Sequence, residues 1–389
     1  RRLDWLGLDR PAGALLGAVA CVAVGVLTPS QALAAVHGPT LLLLFGVMGM
    51  GAFLAIDGFF DAIEGHLLRL ARTPARLLAS IVWGAGALSA VITNDAVCLL
   101  GAPLVVRLIE KHRLPRLPFL LALATGSNTG SVATLVGNPQ NMLCAALGSL
   151  GFREHLLVVA PLALLALAVN HAILYLVFRR ALDGGALVPH VAAAPLKPRV
   201  RLTLIAIAAT LVVYTVGADL AWAATGGFVA LMVVHRRDTR VLWSRIDWSL
   251  LLFFSGLFVV VEALNRSGAP AWVFGHLPLS STGSGLAGAL GLSGIFLVAS
   301  NVVSNVPLIL VIRDQVASLP HPELGWELLA VVSTFAGNLT LLGSVANVIV
   351  AESARDIGGI GFVEYLKVGV PLALTTSCLG AIWLFVFLG

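Results

Sequence analysis

The chain has 389 residues, 59% of them hydrophobic and only 11% charged, with a formal net charge of +5 and a mean hydropathy of +0.98. These values exclude a soluble domain and define a polytopic membrane protein, so the positive balance reads as topology information and not as nucleic-acid affinity. Cys21, Cys98, Cys144 and Cys378 are scattered through apolar segments without metal-ligand or redox spacing, and they read as small core residues. No cofactor or metal site is expected. The start at Arg1 reads as a trimmed N-terminus, and no cleavable signal peptide is visible.

Apolar runs of about 20 residues, enough to span a bilayer, fall near 12 to 28, 39 to 56, 155 to 178, 202 to 218, 219 to 234, 247 to 264 and 366 to 388. Residues 77 to 109 differ, because the run is interrupted at Thr93 to Asp95 and both flanks are basic: Arg69, Arg72 and Arg76 before it, Arg107, Lys111, Arg113 and Arg116 after it. A segment with positive charge at both ends enters and leaves by one face. It reads as a re-entrant helical hairpin with its tip at Ile-Thr-Asn-Asp. Residues 286 to 318 repeat the pattern around Ser300 to Pro307 with only Arg266 and Arg313 nearby, which places this hairpin on the opposite face. The segments 117 to 149 and 326 to 355 read as spanning helices broken mid-way by SNTGSVATLVGNPQ and TFAGNLTLLGSVA. Gly and Pro there free backbone groups that are tolerated at membrane depth only where protein, water or an ion covers them.

The chain states this pattern twice. Asn94 precedes GNPQN ending at Asn141, Asn305 precedes LLGSVAN ending at Asn347, and GFREHLLVVAP (Gly151 to Pro161) shares Gly, Phe, Glu, Leu and Pro at identical spacing with GFVEYLKVGVP (Gly361 to Pro371). The fold class is therefore an all-α polytopic membrane protein, an inverted repeat of about nine crossings with two re-entrant helical hairpins and two broken transmembrane helices. The expected domains are a first half at 1–180, a cytosolic linker at 181–200 and a second half at 201–389, with the crossing at 202 to 218 as the odd element that inverts the second copy. With the N-terminus cytosolic and the C-terminus outside, 21 of the 24 basic residues lie inside, and only Arg153, Arg266 and Arg313 fall outside. The inside set includes Arg1, Arg2 and Arg237. The expected location is the cell (inner or plasma) membrane, with the lipid bilayer as partner.

Two tips meeting two breaks would present helix ends and loose backbone groups to one cavity. The candidate binding residues are Thr93, Asn94, Asp95, Ser127, Asn128, Thr129, Gly130, Ser131, Asn138, Asn141, Ser304, Asn305, Gly337, Asn338, Thr340, Ser344 and Asn347. They form a neutral lining of donors and acceptors suited to a small hydroxylated or oxyanionic solute. The absence of Lys or Arg at the four motifs counts against a multiply charged anion. Asp95 is the one acid at a motif, where a carboxylate at membrane depth costs about 2.5 to 3.5 kcal/mol, and Val306 stands at the equivalent place in the second copy. Asp95 is thus the candidate proton carrier. The same residues have plainer readings: Asn94, Asn305 and Asp95 as helix caps, and the glycines as close-packing sites. Asp57, Glu64 and Glu262 read as interfacial, and the histidines show no ligand spacing.

ITND, SNTGSVATLVGNPQN, VSNVPL and AGNLTLLGSVANVIVAE resemble the motifs of the ion transporter superfamily, in the branch of arsenite permeases and silicic-acid efflux transporters, over about residues 40 to 388. That resemblance implies efflux of arsenite or silicic acid exchanged for protons, by an elevator-type movement of the hairpin-bearing domain against a scaffold of plain helices. The divalent anion/sodium symporters are more distant, with Ser-Asn-Thr at both tips; Thr93-Asn94-Asp95 and Ser304-Asn305-Val306 depart from it, which counts against two sodium sites and a dicarboxylate substrate. Related families include dimers, so a homodimer is a further expectation. Other classes are an intramembrane hydrolase, disfavoured because no serine or cysteine has a His or Lys partner and no HExxH or paired membrane aspartates occur, and a passive channel. Direct ATP drive is disfavoured by the lack of a Walker motif.

Overall fold

The structure, a computed structural model, describes residues 9–183, 196–236, 238–276, 279 and 285–389. Arg1, Arg2, Arg237 and residues 184–195 of the expected linker lie outside the described residues. The first half of the chain forms α1 (Arg10–Ala23), α2 (Pro29–Ala35), α3 (Gly38–Ile56), α4 (Phe59–Leu70), α5 (Pro74–Ser89), α6 (Asn94–His112), α7 (Arg116–Ser131), α8 (Pro139–Gly148) and α9 (Phe152–Phe178). After α10 (Pro198–Thr215), the same order returns as α11 (Leu220–His235), α12 (Thr239–Trp243), α13 (Trp248–Arg266), α14 (Ala269–His276), α15 (Gly285–Val303), α16 (Asn305–Ala317), α17 (Pro322–Ala336), α18 (Val345–Ser353) and α19 (Phe362–Leu388). Among the described residues there is no strand. Helix α10 has no counterpart in this order. The expected hairpins are α5–α6 and α15–α16, and the expected broken helices are α7–α8 and α17–α18.

Local chemistry sets these boundaries. Thr73, Thr93, Asn138, Asp219 and Asp247 each accept a backbone N–H of the helix they open, satisfying donors that a helix start leaves unpaired. Four short helices, α2, α4, α12 and α14, escaped the sequence reading because they are too short or too polar to span. In α4, Asp61 and Glu64 meet Arg107 and Lys111 of α6 in exposed to half-buried ion pairs of 3.3 to 3.9 Å.

Among the described residues, six helices, α3, α9, α10, α13, α15 and α19, are long and apolar enough to cross a membrane, and α1 and α11 are shorter apolar helices. Leu157, Leu164, Leu176, Trp222, Val363 and Val386 expose large apolar side chains, a surface suited to lipid. Packing obeys the repeat. Helix α1 lies on α13 and α11 lies on α3, so each first helix packs against the third helix of the other half. Both crossings are made by glycine: a Cβ on Gly46 of α3 would stand 2.6 Å from Ala224, and one on Gly256 of α13 would stand 2.7 Å from Ala14. Helices α5, α7 and α9 form one cluster and α15, α17 and α19 its counterpart, joined by α9 against α19. Thus α9 and α19, expected among the plain scaffold helices, pack with the hairpins. The short halves exchange partners: α8 packs on α16 and α17, and α18 on α6 and α7.

Candidate functional site

The two breaks, Val132–Asn138 and Gly337–Ser344, are nested in one buried network of amides and hydroxyls. It begins at carbonyls freed by the second break: Asn347 donates from Nδ2 to Gly337 O (2.8 Å) and Thr340 O (3.2 Å). That fixes Asn347 Oδ1 as an acceptor. Asn128 must then turn its Nδ2 toward it (2.9 Å) and toward Asn338 Oδ1 (3.1 Å). Asn128 Oδ1 in turn accepts from Ser344 Oγ (3.0 Å) and Asn94 Nδ2 (2.8 Å). The polarity of the whole chain is therefore set by broken-helix backbone, and its last member, Asn94 Oδ1, has no hydrogen-bond partner.

The network follows the repeat at a constant offset of 206 residues, which pairs Asn128 with Thr334, Asn138 with Ser344 and Asn141 with Asn347. Asn128 bonds Asn347, and Thr334 bonds Asn141 (3.0 Å); Ser344 bonds Asn128, and Asn138 bonds Thr334 (3.1 Å). Asn141 donates to Thr134 O (3.0 Å) as Asn347 does to Thr340 O. Each half of the site is thus clamped by the other half.

At the hairpin tips, Asn94 and Asn305 are both buried, and both keep an Oδ1 without a partner. Both side the same cavity of about 60 Å³, together with Asp95, Gln140, Ser304 and Ser344. The first tip is anchored by Asn94 N donating to Gly137 O (3.0 Å) and by Thr93, whose Oγ1 accepts from Ala96 N. The second tip is a single residue, Ser304, exposed and held at φ 83°, ψ 151°, a conformation that is essentially glycine's alone. Asp95 turns its carboxylate to the backbone N–H of Ala346 in the first turn of α18. It shares a second cavity of about 50 Å³ with Thr93, Arg245 and Asp247.

Not every expected residue faces the tip cavity. Ser127 Oγ meets Cys98 Sγ at 2.9 Å. Gly130 is a packing residue: a Cβ there would lie 2.2 Å from Gly86 Cα, so α5 and α7 cross almost backbone to backbone. Thr129 accepts from Asn338 (3.0 Å), Ser131 accepts from Asn138 (2.9 Å), and Thr340 donates to Asn301 (3.1 Å), all inside the supporting network. Gly337 lends its carbonyl to Asn347. The sequence reading missed Thr334, Asn301 and Arg10, the last of which lines the cavity from the start of α1. Aligning the repeats by offset locates Thr334 opposite Asn128; nothing in the motifs announces Arg10. Asp57, read as interfacial, is buried at 3.0 Å from His235.

Comparison with known proteins now decides the family: the model described as "Citrate transporter" matches residues 3–336. The chain belongs to this transporter family. It is 33% identical over 450 aligned residues to the silicon efflux transporter LSI3 of Oryza sativa subsp. japonica, covering 97% of this chain and 93% of that protein. It is 26% identical to the transporter named arsB in Dictyostelium discoideum, with 96% and 87% covered. Among solved structures, the YdaH transporter of Alcanivorax borkumensis, whose topology is described as unusual, aligns with a TM-score of 0.57 at 14% identity over 97% of this chain and 96% of that one. The chain is a multi-pass membrane transporter that is all-helical among its described residues.

Proposed function

We propose that this protein is a secondary transporter of a small neutral hydroxylated metalloid, of the arsenite or silicic acid class, driven by proton exchange. The observation that carries the reading is that Asn94 and Asn305, each with a buried Oδ1 that has no hydrogen-bond partner, both line one cavity. An acceptor needs a donor. Arsenous and silicic acids are metalloid atoms ringed by hydroxyls, whereas sulfate and ionised carboxylates offer only acceptors. Size agrees, because about 60 Å³ holds roughly four to six waters, room for one such acid. The relatives named for silicon efflux and arsB fit this class.

Asp95 is the proposed proton carrier, since it reaches both cavities and turns its carboxylate to the backbone N–H of Ala346 at the start of α18. The proposed movement is elevator-like, with the cluster of hairpins, broken helices, α9 and α19 sliding on α1, α3, α10, α11 and α13. The proposed halves remain 1–180 and 201–389 about the linker at 181–200, with a cytosolic N-terminus in the cell membrane. A second reading, sodium-coupled uptake of an anion, is favoured by Arg10 at the cavity. Proteoliposomes loaded with arsenite, silicic acid, sulfate or dicarboxylates under proton or sodium gradients separate the two. Proton-driven metalloid flux supports the first reading; sodium-dependent dicarboxylate uptake that is lost in Arg10→Gln supports the second and overturns the first.

A further inference from the structure

A second buried acid lies outside the tip cavity. Glu327, on α17, holds its Oε2 2.8 Å from His155 Nδ1 on α9, with side chains 6% and 0% exposed. The other ring nitrogen, Nε2, stands 3.0 Å from the carbonyl of Val132, the residue that ends α7 at the first break. A carbonyl only accepts, so Nε2 carries a hydrogen. A second hydrogen is then required between Nδ1 and Oε2, on either atom, because without it a carboxylate would face an imidazole lone pair in a site closed to water.

We infer that His155 and Glu327 form a proton-binding site, separate from Asp95, whose proton holds the two broken helices together. This rests on the proton-coupled reading above. The chemistry is acid–base alone: when the transport movement admits water to the pair, the pair releases one proton to that water, leaving carboxylate and neutral imidazole, and nothing is oxidised or reduced. The geometry ties that proton to the solute site at both ends. His155 clamps the break of α7–α8 through Val132 O. Glu327 lies two turns before Thr334 on α17, and Thr334 bonds Asn138 and Asn141 across the break. Release of the proton replaces a bridge by a repulsion, loosening α9 from α17 beside the network that orients Asn94.

Few other titratable or charged groups lie on the helices around the pair. Cys144 of α8 is a titratable group that faces Glu327. Tyr214 of α10 reaches α9 by a tilted ring contact with Phe152, centroids 5.0 Å apart, while Arg199 and Arg201 sit in the first turn of α10. On α9 itself, Arg153 and Glu154 are exposed. Helices α5 and α7 carry only Arg76 and Arg116, in their first turns, α15 carries no charged residue, and α19 has Glu364, Tyr365 and Lys367 in its first two turns and then only Cys378. On α16, Arg313 pairs with Asp314 and Glu262.

The test uses the whole protein in liposomes with arsenite. Proton stoichiometry is read from the arsenite gradient held at steady state by a series of imposed pH differences. Glu327→Gln keeps a donor for Nδ1 and mimics the protonated pair, so it should preserve arsenite counterflow within about twofold and move one proton fewer per solute than the native protein. His155→Gln, which removes the imidazole and keeps an amide donor toward Glu327, should lose the same proton. Equal stoichiometry in native and Glu327→Gln proteins overturns this inference alone. Loss of counterflow in both variants, with native elution and melting behaviour, also overturns it by assigning the pair to solute binding. A native protein that carries arsenite with no response to pH overturns both this inference and the proton-coupled reading.

Discussion

Asn128 is the hinge of the site's polarity, and its removal tests that logic quantitatively. Asn128→Ala deletes two donated and two accepted hydrogen bonds. Asn94 and Ser344 line the cavity, so water there should satisfy the freed Nδ2 and Oγ. Asn338 Oδ1 and Asn347 Oδ1 belong to fully buried residues and do not. At about 1 to 3 kcal/mol for each buried group left unpaired, the variant should lose roughly 2 to 6 kcal/mol of stability. It should also bind solute about tenfold more weakly, because Asn94 is free to flip and one hydrogen bond of about 1.4 kcal/mol corresponds to tenfold in affinity. Asn128→Asp should be worse, since a carboxylate oxygen would replace the donor facing two acceptors. Denaturant unfolding in detergent measures the first quantity and saturation of counterflow the second. A loss below about 1 kcal/mol with unchanged affinity would show that the amide chain does not orient Asn94.

Other expectations follow from particular contacts. Gly130→Ala, with its Cβ 2.2 Å from Gly86 Cα, should cost about 1 to 3 kcal/mol or more by overpacking, whereas Gly84→Ala, with nothing within 4 Å, should leave the melting temperature unchanged. Ser304→Gly should raise stability by about 1 to 3 kcal/mol by relieving the positive φ at the second tip; a lower melting temperature would show that the serine side chain holds the tip. Asp95→Asn should keep solute counterflow and lose flux driven by a pH difference, and a variant that retains full proton-driven flux removes Asp95 as carrier. Arg107→Ala, at an ion pair whose side chains are 50% and 81% exposed, should change stability by less than about 1 kcal/mol.

Much of this architecture was legible in the sequence because membrane depth makes polarity conspicuous. A run such as SNTGSVATLVGNPQN has few roles in an apolar chain; of the seven runs read as spans, α3, α9, α10, α13 and α19 are long and apolar enough to cross, while α1 and α11 are shorter apolar helices. The short helices were not legible, since α4 carries its apolar face among Asp61, Glu64, His66 and Arg69 and shows no long hydrophobic run. Among site residues, asparagines at the breaks stood out, while Thr334 did not, because a threonine in STFAG is ordinary membrane-helix composition. His155 and Glu327 were invisible as a pair: they are 172 residues apart, and each sits near a helix start where an acid or a polar side chain is unremarkable. Their meeting is a product of the inversion that brings α9 and α17 together.

The central claim is that two acceptor oxygens at opposed tips select a neutral donor. Calorimetric titration of the purified protein with arsenite at neutral pH, against sulfate and citrate under the same conditions, tests it most directly. The account predicts saturable binding of arsenite, weakened about tenfold by Asn305→Ala for the loss of roughly one hydrogen bond, with no heat from sulfate or citrate. Saturable citrate or sulfate binding with none for arsenite would contradict it.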